Sequence, residues 1–197
     1  MKIAITVASI LLLASCAQSY NSIRPSRLNY HSTSNLDEIK LEYRYDVLRE
    51  SGNTKFHKKE QRNRLKLVAV KITNNTNEVI IIGKNAAFFS NSKLLVPIEA
   101  HTTRNLLKQS QPSYLLYLLL TGFTVSVNYD TYPVGLALGP GLTIGNMITA
   151  STANKNLLYE LLDYDLNNRQ IQPNETVYGL ACFSGIGYEP ITIKRLN

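Results

Sequence analysis

The sequence predicts a mainly β protein, an antiparallel β-sandwich interrupted by an apolar α-helical hairpin. Three observations carry that expectation. Ile39, Leu41, Tyr43, Tyr45 and Val47 alternate with Lys40, Glu42, Arg44 and Asp46, the period of two that a half-buried strand shows. Further short apolar runs recur between clusters of Asn, Ser, Gly and Pro, about seven strands in all, the count of a two-sheet sandwich. That pattern stops over residues 106–168, and within them residues 113–150 are far more apolar than either flank.

At the amino terminus Lys2 supplies a positive charge, Ile3 to Leu13 an apolar run, and Ala14-Ser15 the small residues of a signal-peptidase site. Cys16 follows at once. The run Leu13-Ala14-Ser15-Cys16 resembles the lipobox of bacterial lipoproteins. The resemblance implies a signal peptide over residues 1–15, cleavage before Cys16, a diacylglyceryl thioether on its sulfur, and acylation, as by palmitate, of the new amino terminus. Several chains anchor stably where one is marginal, because each buried methylene contributes about 0.8 kcal/mol. Ala17 stands where an Asp would favour retention in the inner membrane under the family's sorting rule, and no acidic cluster follows Cys16. The resemblance therefore implies the cell envelope, with lipid anchoring in the outer membrane and a periplasm-facing domain. Residues 16–36 are rich in Ser, Asn and Arg, include Pro25 and keep no period, so a flexible tether is expected, reaching about 25 Å.

Charge narrows the partners. The full chain carries a formal +7, and loss of Lys2 with the signal leaves +6. A basic balance favours anionic surfaces, and an exported address makes nucleic acid an unsuitable one. With Cys16 lipidated, Cys182 is left without an intrachain disulfide partner. It lies in the strand-like run Leu180-Ala181-Cys182-Phe183, which reads as a small buried apolar residue.

Residues 37–197 read as one domain. After the alternating run, residues 51–63 are polar and basic, a loop or short frayed helix. Residues 64–72 are apolar at both parities, as in a central strand packed on both faces. Asn74 to Asn77 forms a turn cluster, and residues 79–82 resume as the second strand of a hairpin. Ala86 to Phe89 and Lys93 to Pro97 flank a Ser90-Asn91-Ser92 turn, and strands return at Val177 to Phe183 and Ile191 to Leu196. The runs VAVKITNNTNEVIII and PNETVYGLACFSGIGYEPITIKRL together resemble the strand-and-turn pattern of immunoglobulin-like domains in uncharacterised exported bacterial proteins. The resemblance implies an immunoglobulin-like sandwich and transfers no functional residue.

In the insertion, the arm from Tyr114 to Val127 is too short to cross a ~30 Å hydrocarbon core as a helix. The arm from Val134 to Ala150 is interrupted by Gly139, Pro140 and Gly141. A helical hairpin follows, with a long helix from about residue 142 to 162. Gly141, Gly145, Thr149 and Ala153 recur every fourth residue, a ridge of small side chains that would let another helix approach. The Gly139-Pro140-Gly141 stretch lacks the preceding strand and spacing of a dinucleotide loop.

Catalytic constellations are absent from the pattern. His31, His57 and His101 share no metal-ligand spacing, no serine sits in a nucleophile elbow, and no carboxylate pair marks a pocket. Asn74 and Asn174 each begin an Asn-X-Thr triplet, a match with little meaning in a bacterial lipoprotein. Lys55, Lys58, Lys59, Arg62 and Arg64 form a basic run, suited to a solvated face or to anionic headgroups. Without metal or cofactor ligands, the expected function is a non-enzymatic, membrane-anchored structural or interaction component of the cell envelope. Its contacts would be the bilayer, through acyl chains on Cys16, and a second membrane or protein contact through residues 113–150. The alternative is a module binding lipid or a small apolar ligand, and an enzyme of unknown type stands third.

Overall fold

A computed structural model describes residues 16–196; the signal-peptide expectation for residues 1–15 lies outside them. The elements run β1 (Ser32–Leu36), β2 (Ile39–Arg44), α1 (Val47–Glu50), α2 (Thr54–Arg62), β3 (Leu65–Asn74), β4 (Ile80–Ile81), β5 (Ala86–Ser90), β6 (Lys93–Leu95) and α3 (Ala100–Leu107). A 3₁₀ helix (Pro112–Gly122) follows, then β7 (Val125–Val127), β8 (Asp130–Tyr132), α4 (Gly135–Asp163), β9 (Gln170–Ile171), β10 (Thr176–Ser184) and β11 (Ile191–Arg195). The chain divides into two compact units, and the division falls within α4. One holds residues 109–155 with the segment up to Tyr20; the other holds residues 21–108 and 156–197.

Helices take about 35% of the structure and strands about 30%, in several small sheets. This corrects the expectation of a mainly β, immunoglobulin-like sandwich: the fold is mixed α/β. In the larger unit an antiparallel sheet of order β1-β2-β3-β10 shares a core with a sheet of order β11-β5-β6. Val68, Val70 and Ile72 of β3 join Leu41, Phe183, Phe88 and Ile193 in that core, where the Phe88 and Phe183 rings meet edge to face at 5.4 Å. The opposite parity is buried too, at Leu67, Ala69, Leu180 and Cys182. There the sheet is covered by helical segments, which are what the strand count missed. Helix α2 lies against β3, and the amide of Ile98, just before α3, donates to Cys182 O at 2.8 Å.

Two side chains replace strands that end early. Asp46 adopts φ 57° and turns the chain out of the sheet, so β2 ends opposite Ala69. Beyond that point the Leu67 amide donates to Glu60 Oε1 of α2 at 2.7 Å. At the other end of β3, Asn74 is fully buried. Its Nδ2 donates to Glu78 O and Ile171 O, while its Oδ1 accepts from the amide and hydroxyl of Thr76. This knot directs β4 away from β3 and onto β9, so the expected hairpin of β3 with residues 79–82 does not form. The β5–β6 hairpin does form, through Asn91 and Ser92, both at positive φ.

The expected tether over residues 16–36 is also corrected. In the larger unit the amides of Ile23 and Arg24 and the hydroxyl of Ser22 all donate to the Glu160 carboxylate, at 2.7 to 3.0 Å. Ile23 and Pro25 are buried, and β1 pairs with β2 through a turn at Asp37 and Glu38. The polar composition that reads as disorder is spent on hydrogen bonds.

Val70 has no exposed surface and lies mid-strand between β2 and β10. Val70→Asp places an unpaired charge there and is expected to cost about 3 kcal/mol or more. Lys71 instead faces Glu42, with its Nζ 2.8 Å from the carboxylate, so Lys71→Gln should cost far less. Urea midpoints of the two variants check the contrast.

Candidate functional site

The smaller unit is organised by a period of three. Tyr114, Tyr117 and Leu120 fall every third residue, which stacks them on one side of a helix with three residues per turn. The 3₁₀ helix presents them inward: the two tyrosine rings lie parallel, 6.4 Å apart, in a cluster with Ala150, Leu142, Met147 and Ala17. Burial raises the Tyr114 hydroxyl above its ordinary value. Leu115, Leu116, Leu118 and Leu119 face outward, with Leu119 80% and Leu116 68% exposed. The first arm is therefore not an α-helix paired with a second, and it continues into the β7–β8 hairpin, which turns at Asn128 and Tyr129.

Helix α4 runs through Pro140 without breaking. A proline there forfeits the amide that would bond Leu136 O, and Leu136 is exposed, so water can serve that carbonyl. The face that α4 turns inward carries Gly135, Gly139, Thr143, Asn146, Ala150 and Asn154. A Cβ on Gly135 would run into the carbonyls of Leu120 and Thr121, and one on Gly139 would meet Thr121 and the Tyr117 carbonyl. The Thr143 hydroxyl lies 3.2 Å from Tyr114 O, and Asn154 exchanges two hydrogen bonds with the Gln109 backbone. The expected ridge of Gly141, Gly145, Thr149 and Ala153 is thus displaced. Only Ala153 is buried, Thr149 is half-buried, Gly141 and Gly145 are exposed, and a Cβ on either glycine would meet nothing. The fourfold spacing was legible, but two interleaved rows of small residues share it, and only Tyr117 and Thr121 decide which row is covered.

Cys16 is the first described residue of this unit. The next residue, Ala17, donates its amide to Asn146 Oδ1 and packs against the tyrosine cluster. Gln18 and Gln109 bond reciprocally, amide to Oε1 at 3.0 Å and Nε2 to carbonyl at 2.6 Å. The outward sides of the 3₁₀ helix and of α4 are largely apolar, while Thr124 and the β7–β8 hairpin residues Ser126, Asn128, Asp130 and Thr131 are exposed. Ile144, Ile148, Leu136, Leu138, Phe123 and Val127 are exposed beside the four leucines, and residues 109–154 contain a single charged side chain, Asp130.

In the larger unit, the basic run lies on and just beyond α2. Lys58, Arg62 and Arg64 are exposed and Lys55 and Lys59 half-buried, with Lys59 and Arg62 in the last turn, where they complement the helix dipole. Residues 51–63 are therefore mostly helical, and Glu60 on the buried face obscured the pattern. Burial raises the Glu60 carboxyl, held back by the Leu67 amide and by His57 Nδ1 at 2.9 Å. His57 is thereby committed to structure, while His31 and His101 are exposed. An open hollow of about 510 Å³ adjoins Gln61, Arg64 and Lys66, but the Lys66 ammonium already sits 3.7 Å over the Tyr188 ring and 3.8 Å from Asp46. Cys182 is buried, and desolvation pushes its thiol up to about 12 despite the Thr103 hydroxyl beside it, which keeps it protonated and unreactive at neutral pH. Among the described residues no three His, Cys, Asp or Glu side chains converge to hold a metal.

No family model, curated protein or solved structure matches this chain.

Gly139→Leu is expected to lower the thermal midpoint, at a cost of about 1–3 kcal/mol, by forcing α4 from the 3₁₀ helix. Gly145→Leu should leave the midpoint unchanged. Melts of the two variants side by side distinguish the covered row from the open one.

Proposed function

We propose that this is a non-enzymatic, lipid-anchored protein of the cell envelope, held in the outer membrane through acyl chains on Cys16 and facing the periplasm. It serves as a structural or interaction component, and residues 113–150 make its second contact. The observation that carries this reading is the outward apolar surface of residues 115–148, in a stretch whose only charge is Asp130. Soluble monomers rarely expose so many large apolar side chains in one stretch with so little charge. The Leu13-Ala14-Ser15-Cys16 run supplies the anchor chemistry.

The alternative, a module enclosing a small apolar ligand, draws less support. The apolar cleft between Ile82, Phe88, Leu94 and Leu95 encloses about 160 Å³, below the roughly 300 Å³ at which ligand pockets begin.

Cys16→Ser should abolish acylation and leave precursor uncleaved, since no thioether can form without the thiol. Feeding cells a clickable fatty acid measures this directly. Wild-type label should vanish in the variant, and equal label in both would remove the anchor.

A further inference from the structure

We infer that the surface on the smaller unit is covered by the bilayer itself: Leu115, Leu116, Leu118 and Leu119, with Ile144 and Ile148, enter one leaflet as a monotopic foot beside the acylated Cys16. The inference rests on the lipid-anchored reading above and names the occupant of its second contact.

Charge separates a bilayer from a protein partner. A protein interface surrounds its apolar centre with a polar rim. The described residues of this unit, 16–20 and 109–155, contain only Asp130 and Lys155 as charged side chains, so no charged rim exists to set a partner's register. Hydrocarbon requires none. Such a unit suits lipid.

Length and hydrogen bonding set the depth. No described helix is long and apolar enough to cross a membrane. The 3₁₀ helix has 11 residues, about 22 Å at its rise of ~2 Å each, against a core of ~30 Å. Its backbone bonds are satisfied internally, so it tolerates hydrocarbon. The β7–β8 hairpin pairs with no other described strand, and open strand edges do not enter hydrocarbon but meet water or headgroups. Its residues agree, since tyrosines such as Tyr129 and Tyr132 suit the membrane–water boundary, and Asp130 requires water. The hairpin therefore limits insertion to the outer part of one leaflet.

The anchor adds proximity. Ala17 is fixed to Asn146 and the tyrosine cluster, and its Cα lies about 3.8 Å from that of Cys16. Acyl chains on Cys16 thus start at this unit, not at the end of a long coil. Once they partition, the leucine face meets the same leaflet at high effective concentration.

The chain contains no tryptophan, so a single introduced one reports its own surroundings. Lipidated full-length mature protein carrying Leu119→Trp, or Leu116→Trp as a second probe, is reconstituted in vesicles of phosphatidylcholine with phosphatidylglycerol. The phosphatidylcholine is either ordinary or brominated in one acyl chain. Val96→Trp, at a 71% exposed position of the larger unit, is the control. The expected result is a blue shift and loss of most emission in brominated vesicles for the Leu119 and Leu116 variants, with the Val96 variant unaffected. Flotation of all variants with equal emission in both vesicle types would overturn the inference and leave the acyl anchor intact. A blue shift without bromine quenching, accompanied by dimer cross-links, would assign the face to a second copy. Quenching of Val96→Trp equal to that of Leu119→Trp would overturn a contact confined to the smaller unit. Failure of any variant to float would defeat the anchored reading itself.

Discussion

The capture of the N-terminal segment by side chains of α4 is the constraint on which the functional reading depends. In the smaller unit Asn146 accepts the Ala17 amide; in the larger, Glu160 accepts from Ser22, Ile23 and Arg24. Each hydrogen bond contributes a net of about 1 kcal/mol and offsets part of the backbone entropy lost on ordering the segment, about 1–2 kcal/mol per residue. Burial of Ile23 adds about 1.5–3 kcal/mol in the same direction. The segment is ordered up to Ala17, so the lipid proposed on Cys16 would start at the smaller unit and not at the end of a free coil.

The same economy of polar side chains runs through the larger unit. Glu60 takes the amide that β2 leaves behind, and Asn74 closes the turn at the other end of β3. Each is buried and each serves backbone groups that would otherwise go unpaired. They explain how small, irregular sheets share one core without a closed barrel or a regular sandwich.

Much of the sheet was legible. The alternation from Ile39 and the two-sided run of β3 follow from burial that the residues state directly. Helix α2 was legible only as one of two readings, a loop or a short frayed helix, because its buried face carries Glu60, and the short α3 was not legible. Nor was β1, since its hairpin turns through Asp37 and Glu38, both at positive φ, without the glycine that usually marks such a turn. In the smaller unit the apolarity is plain in the sequence, but the first arm reads there as one half of a helical hairpin, and the spacing of Tyr114 and Tyr117 is the signal for the 3₁₀ helix it forms. Gly145 satisfies the small-residue rule as well as Gly139 does, and only the tertiary contacts of Gly139 separate them.

Amide hydrogen exchange of the mature lipidated protein tests most directly whether the anchor is fixed to the fold. The amides of Ala17, Gln18, Ile23 and Arg24 each have a named acceptor and should exchange orders of magnitude more slowly than an unstructured chain. Exchange of all four at random-coil rates, with β3 still protected, would contradict the docked segment and return residues 16–24 to a free tether.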